Sequence, residues 1–107
     1  MIYIASPYSH PEAEVRQQRF EAVRDFCAAL IQDGKFPYSP IVHCHPIAIA
    51  QNLPGDAAWW RRYNFNTLRR CDSMIVLKLR GWSESKGVAE ELELAATLGL
   101  SIAFEAP

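Results

Sequence analysis

Apolar positions change period along this chain, and the changes divide it into short strands alternating with helices. Ile2 to Ala5 is a brief apolar run that stops at Ser6-Pro7 and suits a buried first strand. From Pro11 to Asp33 the period becomes helical. Phe20, Val23, Cys27, Leu30 and Ile31 recur at three- and four-residue steps and form one stripe, which Asp33-Gly34 closes. Phe36 to Ile41 reads as a second strand, with Pro37 and Pro40 favouring an edge position. Val42 to Gly55 carries no clear period; Pro46 and Pro54 bracket Ile47 to Gln51, which is at most a short helix. Asp56 is a candidate N-cap for a helix running to about Arg70, with Trp59, Tyr63 and Leu68 among its packing residues. Ser73 to Leu79 is the clearest strand, because Met74, Ile75, Val76, Leu77 and Leu79 make an almost unbroken apolar run of the kind covered on both faces. Arg80 to Ser85 then reads as a loop, Lys86 to Leu98 as a helix stopped by Gly99, and Leu100 to Phe104 as a last strand.

Strands alternating with helices predict an α/β fold: a parallel sheet of four to five strands with helices on both faces. Ligands bind such folds beyond the carboxyl ends of the strands. That rule directs attention to three loops, Ser6 to His10, Pro40 to His45 and Arg80 to Gly87.

Composition narrows the classes of partner. A chain of 107 residues, half of them hydrophobic, builds one domain over 1–107 with a real core. Lys plus Arg number 11 against 12 for Asp plus Glu, a net charge of −1, which gives no basic face for long nucleic acid and no charge-driven attraction to a membrane. Cys27, Cys44 and Cys71 are odd in number and form no Cys-x-x-Cys pair, so reduced thiols in a cytoplasmic protein are the simple expectation. The first residues reach polar side chains at once and do not read as a signal peptide. No apolar run approaches the roughly 18 residues of a membrane span.

Among the acidic residues, helical geometry singles out one. Val88, Leu92, Ala95 and Leu98 define the apolar stripe of the last helix; Glu91, three after Val88 and four before Ala95, lies within it, while Glu90 and Glu93 fall on the other side. A carboxylate on a core-facing stripe is costly unless it is paired, hydrogen-bonded or lining a cavity. At the mouth of a sheet it is a candidate nucleophile or general acid/base, against the plainer reading of a rim glutamate on a solvated helix. Just upstream, Ser85 is a natural N-cap and Gly87 lets a ligand approach free backbone N–H groups, so a phosphate or sugar hydroxyl has a place to sit.

These residues form a pattern. Tyr3-Ile-Ala-Ser-Pro-Tyr8 at the first strand, Asp72 before a strand, Gly81-Trp82, and Ser85-Lys-Gly-Val-Ala-Glu-Glu91-Leu-Glu-Leu-Ala95 together resemble the nucleoside 2-deoxyribosyltransferase superfamily, which includes deoxynucleoside 5′-monophosphate N-hydrolases. The Pro7-Tyr-Ser-His10 start and the Gly81-Trp-x-x-Ser85 turn look most like its branch of short, largely uncharacterised bacterial and phage proteins.

The resemblance implies a flavodoxin-like (Rossmann-like) three-layer sandwich. It implies cleavage of the N-glycosidic bond of a (deoxy)nucleoside or its 5′-monophosphate by a glutamate nucleophile, with a second base or water resolving the glycosyl ester. The Ser-x-Gly-x-x-x-Glu spacing aligns that nucleophile with Glu91. A serine at the position of Ser85, where transferases of free nucleosides tend to carry Asp, favours a 5′-monophosphate, because an aspartate would repel the dianion.

Further roles follow from the same resemblance. Ser6, Pro7, Tyr8 and Ser9 fall at the substrate, with Ser6, Ser9 and Arg19 as candidate phosphate contacts, against the plainer reading of Arg19 as a surface arginine; Tyr3 lies against sugar and nucleophile, against the plainer reading of a core aromatic. His43 and His45 are expected on a pocket-wall loop, where a ring can stack on or hydrogen-bond the base or supply a proton. Their spacing around Cys44 invites a metal reading, but no partner cluster accompanies it, and neither a metal nor an organic cofactor is implied. Trp59, Trp60 and Tyr63 read as core or dimer-interface aromatics rather than base contacts. The resemblance also implies a homo-oligomer, dimer or larger.

One departure stands out. The family usually carries an aspartate where this chain has Asn64, and an asparagine cannot deliver a proton to the departing base. The alternative readings are therefore a catalytically weak or inactive nucleotide-binding or sensing module, and an interaction protein on the same fold that binds no small molecule.

Overall fold

A computed structural model describes residues 1–107. Four strands and four α-helices follow in the order β1 (Ile2–Ala5), α1 (Ala13–Gln32), β2 (Pro37–Tyr38), α2 (Pro40–Gln51), α3 (Ala57–Leu68), β3 (Ser73–Leu77), α4 (Lys86–Thr97) and β4 (Ser101–Glu105), with a single 3-10 turn at Trp82–Glu84. The sheet is parallel throughout, in the order β2-β1-β3-β4, with Ile2 opposite both Pro37 and Ser73, and Ser73 opposite Ser101. The α/β class expected from the pattern and the flavodoxin-like layering implied by the resemblance are therefore present. No helix is long and apolar enough to cross a membrane.

Alternation along the central strands explains the three layers. Successive side chains of a strand point to opposite faces. Tyr3, Ala5, Met74 and Val76 join Leu68, Val88 and Ala95 in one buried cluster under α3 and α4. Ile4, Ile75 and Leu77 join Val23, Cys27, Leu30 and Ile41 in a second cluster under α1 and α2. Both central strands are thus covered twice, which is why β3 reads as a continuous apolar run rather than as an alternating one.

Several boundaries differ from the sequence reading. The second strand is only two residues long, though it does occupy an edge. The larger difference is α2. Residues expected as a loop and a short helix form one helix of 12 residues, opened by Ser39, whose hydroxyl accepts the Val42 N–H at 3.1 Å, and by Pro40 in its first turn. Both are favourable helix starts. Pro46 lies inside this helix and removes one N–H, and Asn52 ends it in the left-handed conformation at φ 52°. The expected stripes also lose their last members: Ile31 and Leu98 are exposed.

Candidate functional site

The sheet order creates the site. From β1 the chain moves outward to β2, then crosses back to β3 on the other side, so the segments leaving β1 and β3 diverge. A crevice opens at such a point beyond the carboxyl ends of the strands. Here it is a cavity of about 530 Å³, within the range of small-molecule sites. Its walls come from the segment after β1 (Ser6, Tyr8, Ser9), from α1 (Arg19), from α2 (Cys44, His45), from α3 (Trp60, Arg61, Asn64) and from the start of α4 (Ser85, Gly87, Glu90, Glu91).

Glu91 faces this cavity while only 6 % exposed, one of three buried residues on α4 beside Val88 and Ala95. Tyr3, wholly buried on β1, donates its phenolic hydrogen to Glu91 Oε2. Burial pushes the Glu91 carboxyl up to about 7; the Tyr3 hydrogen bond opposes that rise and the neighbouring charge of Glu90 adds to it. Burial and the adjacent carboxylate hold the Tyr3 phenol well above its ordinary range, so it stays a donor. The pair is a carboxyl poised near neutrality, fixed from behind and open in front.

The start of α4 supplies a complementary feature. The Ser85 hydroxyl accepts the Val88 N–H at 3.2 Å and caps the helix, and a Cβ at Gly87 would meet the Ala57 methyl at 3.4 Å. The capping bond carries a measurable consequence: Ser85→Ala should lower stability by about 1 kcal/mol, whereas Ser85→Gly should cost only a few tenths. Urea unfolding of the two variants checks this, and an equal loss in both would show that the cap is not what Ser85 contributes.

Arg19 ties two of the loops together. Its guanidinium donates to the Ser9 carbonyl at 3.0 Å and to the Arg80 carbonyl at 3.4 Å, across the segments that follow β1 and β3. Ser9 also donates to the Gly55 carbonyl at 2.9 Å. Ser6 Oγ and Asn64 Oδ1 are buried without a hydrogen-bond partner, and both residues line the cavity. An unpaired buried polar atom is costly, so these two atoms are available to a ligand.

Not every residue expected at the site reaches it. Pro7 is packed in the interior, and Tyr3 stands behind Glu91 rather than in the wall. His43 and His45 are two positions apart on a helix and therefore diverge. His45 is 4 % exposed and lines the cavity, while His43 is exposed and stacks on Tyr63 at 6.0 Å. The histidines thus stand on helix α2, not on a loop, and no group of three or more metal-ligating side chains is gathered around them. Trp60 lines the cavity, but Trp59 and Tyr63 are exposed rather than packed in a core. Asp72 stands at the opposite end of the sheet, its N–H bonded to the Met1 carbonyl at 2.9 Å.

Two further residues join the wall without a signal in the local pattern. Helical spacing puts Glu90 on the far side of α4, yet it lines the cavity in a two-pronged ion pair with Arg61, whose Nη2 donates to Oε1 at 2.9 Å. Arg61 holds the Glu90 carboxyl below its ordinary range. Helix α3 leaning on α4 makes this wall, and one helix read alone carries no trace of it.

No curated protein matches the chain. Among solved structures it is similar to the 2-desoxiribosyltransferase from Leishmania mexicana, at 28% identity and a TM-score of 0.58 over 98% of this chain. The chain spans 63% of that longer protein. The family model described as "Domain of unknown function (DUF1937)" matches residues 1–106, and this chain belongs to that family.

Proposed function

We propose that this chain cleaves the N-glycosidic bond of a nucleotide, a (deoxy)nucleoside 5′-monophosphate above all, through nucleophilic attack by Glu91. The observation that carries the reading is a nearly buried carboxyl facing a ligand-sized cavity at the switch point of the sheet, held from behind by Tyr3. Likeness to a deoxyribosyltransferase supports it. A Glu91 oxygen attacks the anomeric carbon, the C1′–N bond breaks with its electron pair on the base, and a glycosyl ester remains for water or a second base to resolve. The Ser85 cap, Gly87 and the free N–H groups at the start of α4 receive the phosphate, with Ser6, Ser9 and Arg19 beside it. The proposal requires no metal or organic cofactor, and includes a cytoplasmic setting and self-association as a dimer or larger.

Asn64 favours a second reading, a module that binds nucleotide without turning it over, because its amide gives the departing base no proton. One experiment separates the two. Incubation with a panel of nucleosides and nucleoside 5′-monophosphates, followed by chromatography of free base, should show release from at least one 5′-monophosphate. Binding by thermal shift with no base release from any member of the panel would reject the enzyme and retain the module.

A further inference from the structure

A chain of hydrogen bonds runs from the cavity wall to the protein surface on the side opposite Glu91's helix. Tyr8, in the wall, meets His45 Nδ1 through its hydroxyl at 2.5 Å, and His45 Nε2 meets Gln17 Oε1 at 2.8 Å. Gln17 Nε2 in turn donates to Glu21 Oε2 at 3.1 Å. The last contact orients all the others. A carboxylate only accepts, so the Gln17 amide nitrogen faces Glu21 and its oxygen faces His45. An amide oxygen also only accepts, so His45 carries its proton on Nε2. The Nδ1 lone pair then accepts the Tyr8 hydrogen. The imidazole is 4 % exposed and stacks on Phe20 at 4.5 Å, so the ring has one orientation.

The Tyr8–His45 contact in this chain can carry a proton, while the Gln17 amide only holds the ring in place. From these contacts we infer that Tyr8 is the catalytic acid for the departing base, with His45 as the proton store behind it and Gln17 and Glu21 as positioning residues; this rests on the glycosidase reading above. When His45 is an imidazolium, Nδ1–H donates to the Tyr8 oxygen and the Tyr8 hydrogen turns into the cavity. As the C1′–N electron pair passes to the base nitrogen, that nitrogen takes the Tyr8 proton, and Tyr8 takes the Nδ1 proton of His45. Tyr8 ends protonated and His45 neutral, in the arrangement observed. During hydrolysis of the glycosyl ester, the proton of the attacking water returns along the same path and restores the imidazolium. The task that Asn64 cannot perform thus passes to a group on the opposite wall.

The groups facing His45 set its pH range. Tyr8 comes from the segment after β1; Arg16, Gln17, Phe20 and the more distant Glu21 come from α1; Cys44 precedes it on α2. Burial, and the Arg16 charge after it, lower the His45 pKa from its ordinary value of 6.5. The relay is therefore charged only on the acid side of neutrality, while Glu91 ionises only near 7. Imidazolium and carboxylate coexist in a minority of molecules, and that fraction is largest between the two values. The rate should follow a bell whose acid limb reports His45 and whose alkaline limb reports Glu91.

Leaving-group chemistry tests the inference. Guanosine 5′-monophosphate, or whichever substrate the panel identifies, loses a base that needs a proton. The 7-methylguanosine analogue of the same phosphorylation state departs as a neutral base and needs none. In a single turnover, before the glycosyl ester is hydrolysed, Tyr8→Phe should slow release of the ordinary base about 10²-fold or more and leave release of 7-methylguanine within roughly threefold of wild type. Equal slowing on both substrates would overturn the relay and reduce Tyr8 to a structural or binding residue.

A second variant tests the same chain without touching the cavity wall. Gln17→Glu places a carboxylate on the Nε2–H and holds the imidazolium to higher pH. The acid limb of the bell should move towards neutrality and its maximum should rise, because more molecules carry both charges; an unmoved limb would overturn His45 as the proton store. Wild-type protein that releases neither base overturns the glycosidase reading itself, an outcome distinct from failure of either variant.

Discussion

Glu91→Gln should lower base release at least about 10³-fold, the order expected when a covalent nucleophile is removed from a site that still binds its substrate. The replacement is nearly isosteric. Tyr3, which donates to the Glu91 carboxyl, can donate equally to the amide oxygen, so the cavity keeps its shape. What the amide lacks is a charge and an electron pair able to form the ester.

Glu90→Gln is the matched control. Glu90 also lines the cavity, one residue away, but its carboxyl is engaged by Arg61 through two contacts and is not free to attack. Turnover in that variant should persist. Single-turnover release of 7-methylguanine, which needs no acid and precedes ester hydrolysis, isolates the nucleophile: in wild type it should fall about tenfold per unit below about pH 7, because protonated Glu91 does not attack. Comparable losses in Glu90→Gln and Glu91→Gln would show that the arrangement of the wall matters and the identity of the nucleophile does not.

Glu91 is legible in the sequence because its neighbours at three- and four-residue spacing, Val88 and Ala95, are apolar, and those three are the buried residues of α4. The parallel sheet is legible for a similar reason: Met74 to Leu77 is buried on both faces and leaves no polar position in its pattern. Helix α2 is not. It carries Pro40 and Pro46, and its exposed Ile47 and Ile49 leave apolar side chains on every face, so no stripe marks it.

Once a helix is read as a loop, the divergence of His43 from His45 cannot be seen. The partners of His45 are further still from local pattern. Tyr8 and Gln17 lie 37 and 28 residues away and meet it only because α1 packs on α2 beside the end of β1. The Arg61–Glu90 pair spans 29 residues and depends in the same way on two helices touching. Periodicity reports which way a side chain faces on its own element; it is silent on what another element brings opposite.

The glutamate proposed as the nucleophile should also cost stability, and that cost has a sign and a pH window. In the folded protein Glu91 keeps its proton up to about pH 7, against an ordinary value of 4.5 for the unfolded chain. Between those values the native state binds more protons than the unfolded state, so raising the pH destabilises it. The stabilising contribution of the protonated form is complete below about 4.5 and drains away as pH rises through about 7.

Above that range the buried carboxylate costs on the order of 3 kcal/mol relative to a neutral group. Glu91→Gln is neutral at every pH. Its melting temperature should therefore match wild type at pH 5 within a few degrees and exceed it by roughly 10–20 °C at pH 8, for a domain of this size. His45 acts in the opposite sense, its lowered pKa adding stability as pH rises towards 6.5. It is common to both proteins, however, and drops out of the difference. Calorimetry of the pair across pH 5 to 8 measures that difference directly. A gap that does not grow with pH would mean that the Glu91 carboxyl is solvated in the native protein. The inward-facing acid on which the catalytic reading depends would then be lost as well.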